Sequence, residues 1–122
     1  MTKPFVFIVE DDEFLSDIFA KTLQADFETE IAKNGNAALT RLAQITPDLI
    51  VLDLNLPGIS GKDILTHIRS DPALGGSRVI LCTADAIQAD FLQEQADIVM
   101  LKPVSPSQLR VIANRLRQAS TS

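Results

Sequence analysis

The sequence contains no tryptophan and no tyrosine, and only one cysteine and one histidine among its 122 residues. A single cysteine excludes an internal disulfide framework. Cys82 sits in the apolar run Val79-Ile80-Leu81-Cys82, which suits the buried packing role of a free thiol and points to a reducing, cytoplasmic compartment. Basic residues are in deficit, 11 Lys and Arg against 16 Asp and Glu, for a net charge of −5. Without a basic patch that balance repels nucleic-acid phosphates and anionic lipid, so direct DNA binding is not expected. Long hydrophobic runs are also missing. The apolar stretch Phe5 to Val9 is too short for a signal-peptide core and is broken at once by Glu10-Asp11-Asp12-Glu13. No segment is long and apolar enough to insert into a membrane.

What is present is an ordinary globular composition, 46% hydrophobic and 22% charged, far from the signature of disorder. A chain of this size buries roughly two-thirds of its unfolded surface without disulfides or metal staples. One domain over residues 1–122 is expected, with its core over about 4–118, no internal repeat or linker, and nothing left over for an output domain.

The chain alternates short β-branched apolar segments with stretches of helical periodicity. Phe5 to Val9 and Leu49 to Leu52 read as strands, with a weaker one near Thr29 to Ala32, a fourth over Arg78 to Cys82 and a fifth over Ile98 to Leu101. Between them, Phe14, Leu15, Ile18, Phe19, Thr22 and Leu23 follow i, i+3, i+4 spacing, as do Ala38, Leu39, Leu42 and Ile45, and then Ile64, Leu65 and Ile68. Asp71-Pro72 ends the third helix, a short fourth runs from about Ala86 to Gln95, and Pro106 behind a capping Ser105 opens the last, through Leu109, Ile112, Ala113 and Leu116. Ser120-Thr121-Ser122 reads as a frayed tail. Five near-continuous apolar strands alternating with five helices require an α/β, doubly wound parallel sheet covered on both faces by right-handed crossovers.

In such sheets function lies beyond the carboxyl ends of the strands. Those exits carry Glu10, Asp11, Asp12 and Glu13 after the first strand, Asp53 after the third, Thr83 after the fourth and Lys102 after the fifth. The segments Ile8-Val-Glu-Asp-Asp-Glu13, Leu52-Asp-Leu-Asn-Leu-Pro-Gly-Ile-Ser-Gly61, Cys82-Thr-Ala84 and Leu101-Lys-Pro-Val104 resemble, in order and spacing, the four signatures of response-regulator receiver domains of two-component systems. The likeness covers Pro4 to about Gln118. It implies a flavodoxin-like strand order 2-1-3-4-5, which brings Asp11 beside Asp53. It further implies that Asp53 accepts a phosphoryl group from a sensor histidine kinase or histidine phosphotransfer protein, with Thr83 and Lys102 contacting phosphoryl oxygens. Mg²⁺ would be held by Glu10, Asp11, Asp53 and the backbone carbonyl of Asn55. Clustered carboxylates repel one another unless a cation neutralises them, and an all-oxygen set suits Mg²⁺. The resemblance implies a cis Lys102-Pro103 bond as well. Such a domain is a signalling module rather than an enzyme acting on an outside substrate. It passes its state to an effector protein, with a homodimer one possible form.

Asp12 matches no ligand of the pattern and reads as a helix-start residue. His67, inside Leu65-Thr-His-Ile-Arg69, lies on a helix away from every strand exit and reads as a surface or half-buried residue rather than a phosphate carrier. The glycines of Pro57-Gly-Ile-Ser-Gly61 serve the turn and the helix start, since no P-loop Lys-Ser/Thr follows. Two positions depart from the family. Val99 stands where receivers usually carry an aromatic three residues before the lysine, and Val104 where Phe commonly follows Lys-Pro. Val99 cannot swing a ring between exposed and buried rotamers, so a weak or rerouted output over the fourth helix, fifth strand and fifth helix is expected. It also keeps open a phosphorylation-independent docking module. An aspartate-nucleophile phosphatase would want an acid where Asn55 stands, and a flavin carrier a hydroxyl-rich loop where the chain has four acids.

Overall fold

The computed structural model describes residues 3–120; Thr121 and Ser122 of the expected tail lie outside the described residues. Five strands, β1 (Phe5–Val9), β2 (Glu28–Ala32), β3 (Leu49–Asp53), β4 (Arg78–Thr83) and β5 (Ile98–Leu101), alternate with five helices. These are α1 (Glu13–Leu23), α2 (Gly35–Leu42), α3 (Gly61–Ser70), α4 (Ala86–Leu92) and α5 (Pro106–Ser120). The strands form one parallel sheet, as their apolar runs predict, in the order β2-β1-β3-β4-β5 that the resemblance implied.

Side chains alternate strictly between the two faces of the central strands. Phe7, Val9, Ile50, Leu52, Val79 and Leu81 face the core under α2, α3 and α4. Val6, Ile8, Leu49, Val51, Ile80 and Cys82 face the other core, under α1 and α5. Burial on both faces explains why these strands read as continuous apolar runs rather than alternating ones. β2 was the weakest strand in the sequence because it is an edge strand: only Ala32 of its five residues is buried.

Helix ends follow capping chemistry. Asp12 Oδ1 accepts from the Leu15 N–H at 3.0 Å, as the helix-start reading of Asp12 requires, and Ser105 Oγ accepts from the Gln108 N–H at 3.3 Å. Asn34 caps α2, which begins at Gly35 and ends at Leu42, leaving Ile45 half-buried beyond it. α4 is shorter than its sequence pattern, because the chain leaves the helix after Leu92 and Ala96 is buried outside it. In α1 the buried line runs through Ser16, Phe19 and Leu23. Phe14 lies off that line and is 72% exposed, contrary to its place in the apolar pattern. Ser16 takes the close approach instead, its hydroxyl satisfied by the Glu13 carbonyl at 3.1 Å.

Two glycines shape the loop after β3. Gly58 has φ +77°, a left-handed turn that other residues enter at a cost. At Gly61 a Cβ would lie 2.5 Å from the Asp53 carbonyl oxygen and 2.5 Å from Leu54 Cα, so only glycine lets α3 start against the end of β3. Gly61→Ala is therefore expected to destabilise the fold by about 2 kcal/mol. Urea unfolding checks this, and an unchanged midpoint would contradict the close approach.

Candidate phosphoacceptor site

The strand order sets β3 between β1 and β4, so the residues leaving β1 and β4 flank Asp53. The register pairs Val9 with Leu52 and Asp53 with Cys82, which brings Glu10 and Asp11 alongside Asp53 at the carboxyl edge of the sheet. Carboxylate oxygens of Glu10, Asp11 and Asp53 all lie within 4.8 Å of one another. Glu10 and Asp53 are 3% and 2% exposed, whereas Asp11 is open to solvent.

Burying Asp53 leaves its charge to be compensated locally. Lys102 Nζ lies 2.8 Å from Asp53 Oδ1, and the Asn55 N–H donates to the same oxygen at 3.1 Å. Lys102 follows β5, whose register against β4 pairs Leu101 with Thr83, and its own N–H donates to the Thr83 carbonyl at 2.8 Å. Its stem thus crosses the end of β4 to reach Asp53. The Lys102-Pro103 bond is cis, as the resemblance implied. Burial works to lower the Lys102 pKa, but the Asp53 carboxylate, with Glu10 behind it, outweighs that and holds the ammonium above its ordinary value.

Thr83 is fully buried at the end of β4, and its Oγ1 accepts from the Asp85 N–H at 3.1 Å. Thr83 is not the helix cap. That role belongs to Asp85, whose Oδ1 takes the Ile87 and Gln88 N–H groups at 2.9 and 3.2 Å. Asn55 sits at the exposed rim of the cluster, its peptide tied to Asp53. His67 is an exposed residue of α3, apart from these groups. Cys82 is buried beside the site, and burial, reinforced by Asp53 and Glu10, pushes its thiol up to about 12, so it stays protonated and inert.

Sequence reasoning missed Asp97, which precedes β5. Burial works to raise its pKa, but the Val79 N–H at 2.7 Å and the Arg69 and Arg78 guanidinium groups at 3.0 and 3.2 Å hold it below the usual carboxylate range. It ties α3, β4 and β5 together near the other end of the sheet. A lone Asp in Ala96-Asp97-Ile98 carries no local signal of such a network.

The donor set fits a hard divalent cation. Three carboxylates, two of them buried, meet around one ammonium, and all the ligand atoms are oxygen. Desolvation first, and then the hydrogen bond and charge of Asp53, raise Glu10 from 4.5 to about 7. Such a carboxyl contributes stability that is full below its unfolded pKa and is lost as pH rises through the folded value. In EDTA, wild type is therefore expected to lose on the order of 2 kcal/mol more than Glu10→Gln between pH 4.5 and 8. Chemical denaturation across that range measures it, and parallel profiles for the two proteins would contradict it.

An acidic cluster at the carboxyl edge of a 2-1-3-4-5 sheet, with a lysine and a buried threonine beside it, is the arrangement that the resemblance to receiver domains implied. Residues 6–114 match the family model of the response regulator receiver domain. The chain is 32% identical over 108 residues to the DNA-binding response regulator MtrA of Mycolicibacterium smegmatis, covering 85% of this chain and 46% of that protein. It is 34% identical over 110 residues to the phosphate regulon transcriptional regulatory protein PhoB of Rhizobium meliloti, covering 87% and 48%. The chain spans about half the length of these curated relatives. Among solved structures, the chemotaxis response regulator CheY4 of Vibrio cholerae superposes with a TM-score of 0.86 at 24% identity, over 94% of this chain and 99% of that one, which bears on the fold alone. The signal receiver domain of a signal transduction histidine kinase from Syntrophus aciditrophicus gives 0.85 at 28% identity, over 95% and 91%. The chain belongs to the response regulator receiver domain family, the signalling modules of two-component systems.

Proposed function

We propose that Asp53 is the phosphoacceptor of this receiver, taking a phosphoryl group from a phosphohistidine of a sensor kinase or a histidine phosphotransfer protein in the cytoplasm. The observation that carries this reading is a nearly fully buried carboxylate held at 2.8 Å by Lys102 within a cluster of two further acids. An Asp53 oxygen attacks phosphorus while the P–N bond to histidine breaks, and the released imidazole takes up a proton. Lys102, already directed at Asp53, compensates the oxygens of the transferred group. The Thr83 hydroxyl, one residue beyond the strand partner of Asp53, donates to another of them.

Glu10, Asp11 and Asp53, with the backbone carbonyl of Asn55, would hold Mg²⁺. When bound, the ion neutralises charge on the transferring oxygens. The chemistry is self-modification, with the downstream effector read through the altered surface. Treatment with acetyl phosphate and Mg²⁺ followed by intact-mass measurement is expected to show one phosphoryl adduct on wild type and none on Asp53→Asn. An unmodified wild type, or an equally modified variant, would overturn the assignment.

Output is the point at which this chain departs from its family. Val99 is half-buried against the core under α2, α3 and α4 and has no ring to reorient. Phosphorylation is expected to shift amide resonances around Asp53 and Thr83 and to fade across residues 86–116. Changes of equal size throughout that span would show that the missing aromatic is immaterial.

A further inference from the structure

Two strands end the sheet, β2 and β5, and each pairs with one neighbour only. A free edge offers main-chain N–H and C=O groups to any other chain, and proteins guard such edges with charge, proline or cover. β2 is guarded. Glu28 is exposed on it, and Glu30 is paired with Arg41 of α2. β5 carries no such guard: Ile98-Val99-Met100-Leu101 holds neither charge nor proline, and Leu101 is 52% exposed.

Beside this second edge a groove of about 400 Å³ runs between α4 and β5. Ala86, Ala89, Asp90 and Gln93 line it from α4, and Val99 and Leu101 from β5. The two alanines keep the helix wall low, and Val99 brings no ring to fill the space. An added strand would lay its main chain along β5 and point alternate side chains into this groove.

A second copy of the chain does not suit the edge. Two β5 strands related by a two-fold axis would extend the sheet with each face continuing into itself, setting α4 beside α4 and α5 beside α5. From Ala84 to Asp97 the chain has four acids, Asp85, Asp90, Glu94 and Asp97, and no basic residue. From Ile98 onward it has Lys102, Arg110, Arg115 and Arg117 and no acid. Like charge would therefore meet like on both faces. Within the groove the charge is acidic. Asp97 is taken up by Arg69 and Arg78, whereas Asp90 makes no hydrogen bond or ion pair among the described residues.

We propose that the free edge of β5 is a docking site for an extended, basic segment of a partner protein, which adds to the sheet as a further strand and points a lysine or arginine at Asp90. Main-chain pairing supplies the attachment, and the acidic groove selects the sign of the side chains.

Blocked heptapeptides titrated into isotope-labelled protein and followed by NMR test this without any phosphoryl donor, so the outcome is separate from the phosphoacceptor reading. A peptide alternating valine and lysine is expected to shift the amides of residues 98–101 saturably and to slow their exchange with solvent. Replacing its lysines by glutamate, or methylating its internal amide nitrogens, is expected to weaken binding about tenfold. Asp90→Lys, at an exposed position of α4, is expected to weaken binding of the lysine peptide about threefold while the amide spectrum stays folded. Should that variant not fold, the peptide comparisons on wild type decide alone. Absent shifts in β5, equal affinity for the glutamate or N-methylated peptide, or undiminished binding by folded Asp90→Lys would each overturn the proposal. So would a dimer of the free protein in which the β5 amides are already protected.

Discussion

The Asp53 carboxylate is 2% exposed, and a charge so withdrawn from water persists only if the protein replaces its hydration. Much of the architecture at this edge of the sheet serves that need. Lys102 must come from β5, two strands away, and cross the end of β4 to reach it. The chain after β3 must turn back so that the Asn55 N–H points at Oδ1, and the tight seat of Gly61 holds that turn against the strand it has just left. The same withdrawal places Glu10 and Asp11 close enough to repel Asp53. One ammonium therefore faces three acids, and the edge is poised for further positive charge.

Most of this was legible in the residues themselves. Strands buried on both faces announce themselves as apolar runs, and Asp12, Ser105 and Asp71-Pro72 mark helix boundaries by chemistry that works within three or four residues. The illegible parts depend on contacts far along the chain. Phe14 fits a helical stripe by spacing, yet the face of α1 that meets the sheet is chosen by the sheet, and Ser16 won the contact. The early end of α4 and the role of Asp85 as its cap were equally hidden, because Thr83 and Asp85 are both plausible caps until the strand is known to include Thr83. The acidic cluster itself was visible as residue types at strand exits, but its closeness rests on β1 and β3 being neighbours, which came from the family resemblance rather than from spacing.

Asp53, buried at the end of β3, and Asp97, half-buried just before β5, show how two carboxylates at opposite ends of one sheet acquire different characters. Asp97 is met by a backbone N–H and two guanidinium groups, all fixed in place, and is satisfied as it stands. Asp53 has one ammonium and one N–H, with two further acids beside it. The first arrangement clamps secondary structure and leaves nothing to react. The second retains unmet demand for positive charge, which is what suits Asp53 to the phosphoacceptor role proposed for it.

Because every strand pairing in the sheet is parallel, no two neighbouring strands can be joined by a hairpin, and each pairing closes a crossover loop. The Phe5 N–H, for example, meets the Asp48 carboxylate 43 residues away. Each closure costs chain entropy before any contact repays it, and the acidic cluster draws on β1 and β3 while its lysine comes from the end of β5. A chain folded only through β3 would expose an acidic edge without its cation. The acidic cluster and its cation are thus brought together only when β1, β3 and β5 share one sheet, and a chain without β5 in place presents Glu10, Asp11 and Asp53 without Lys102.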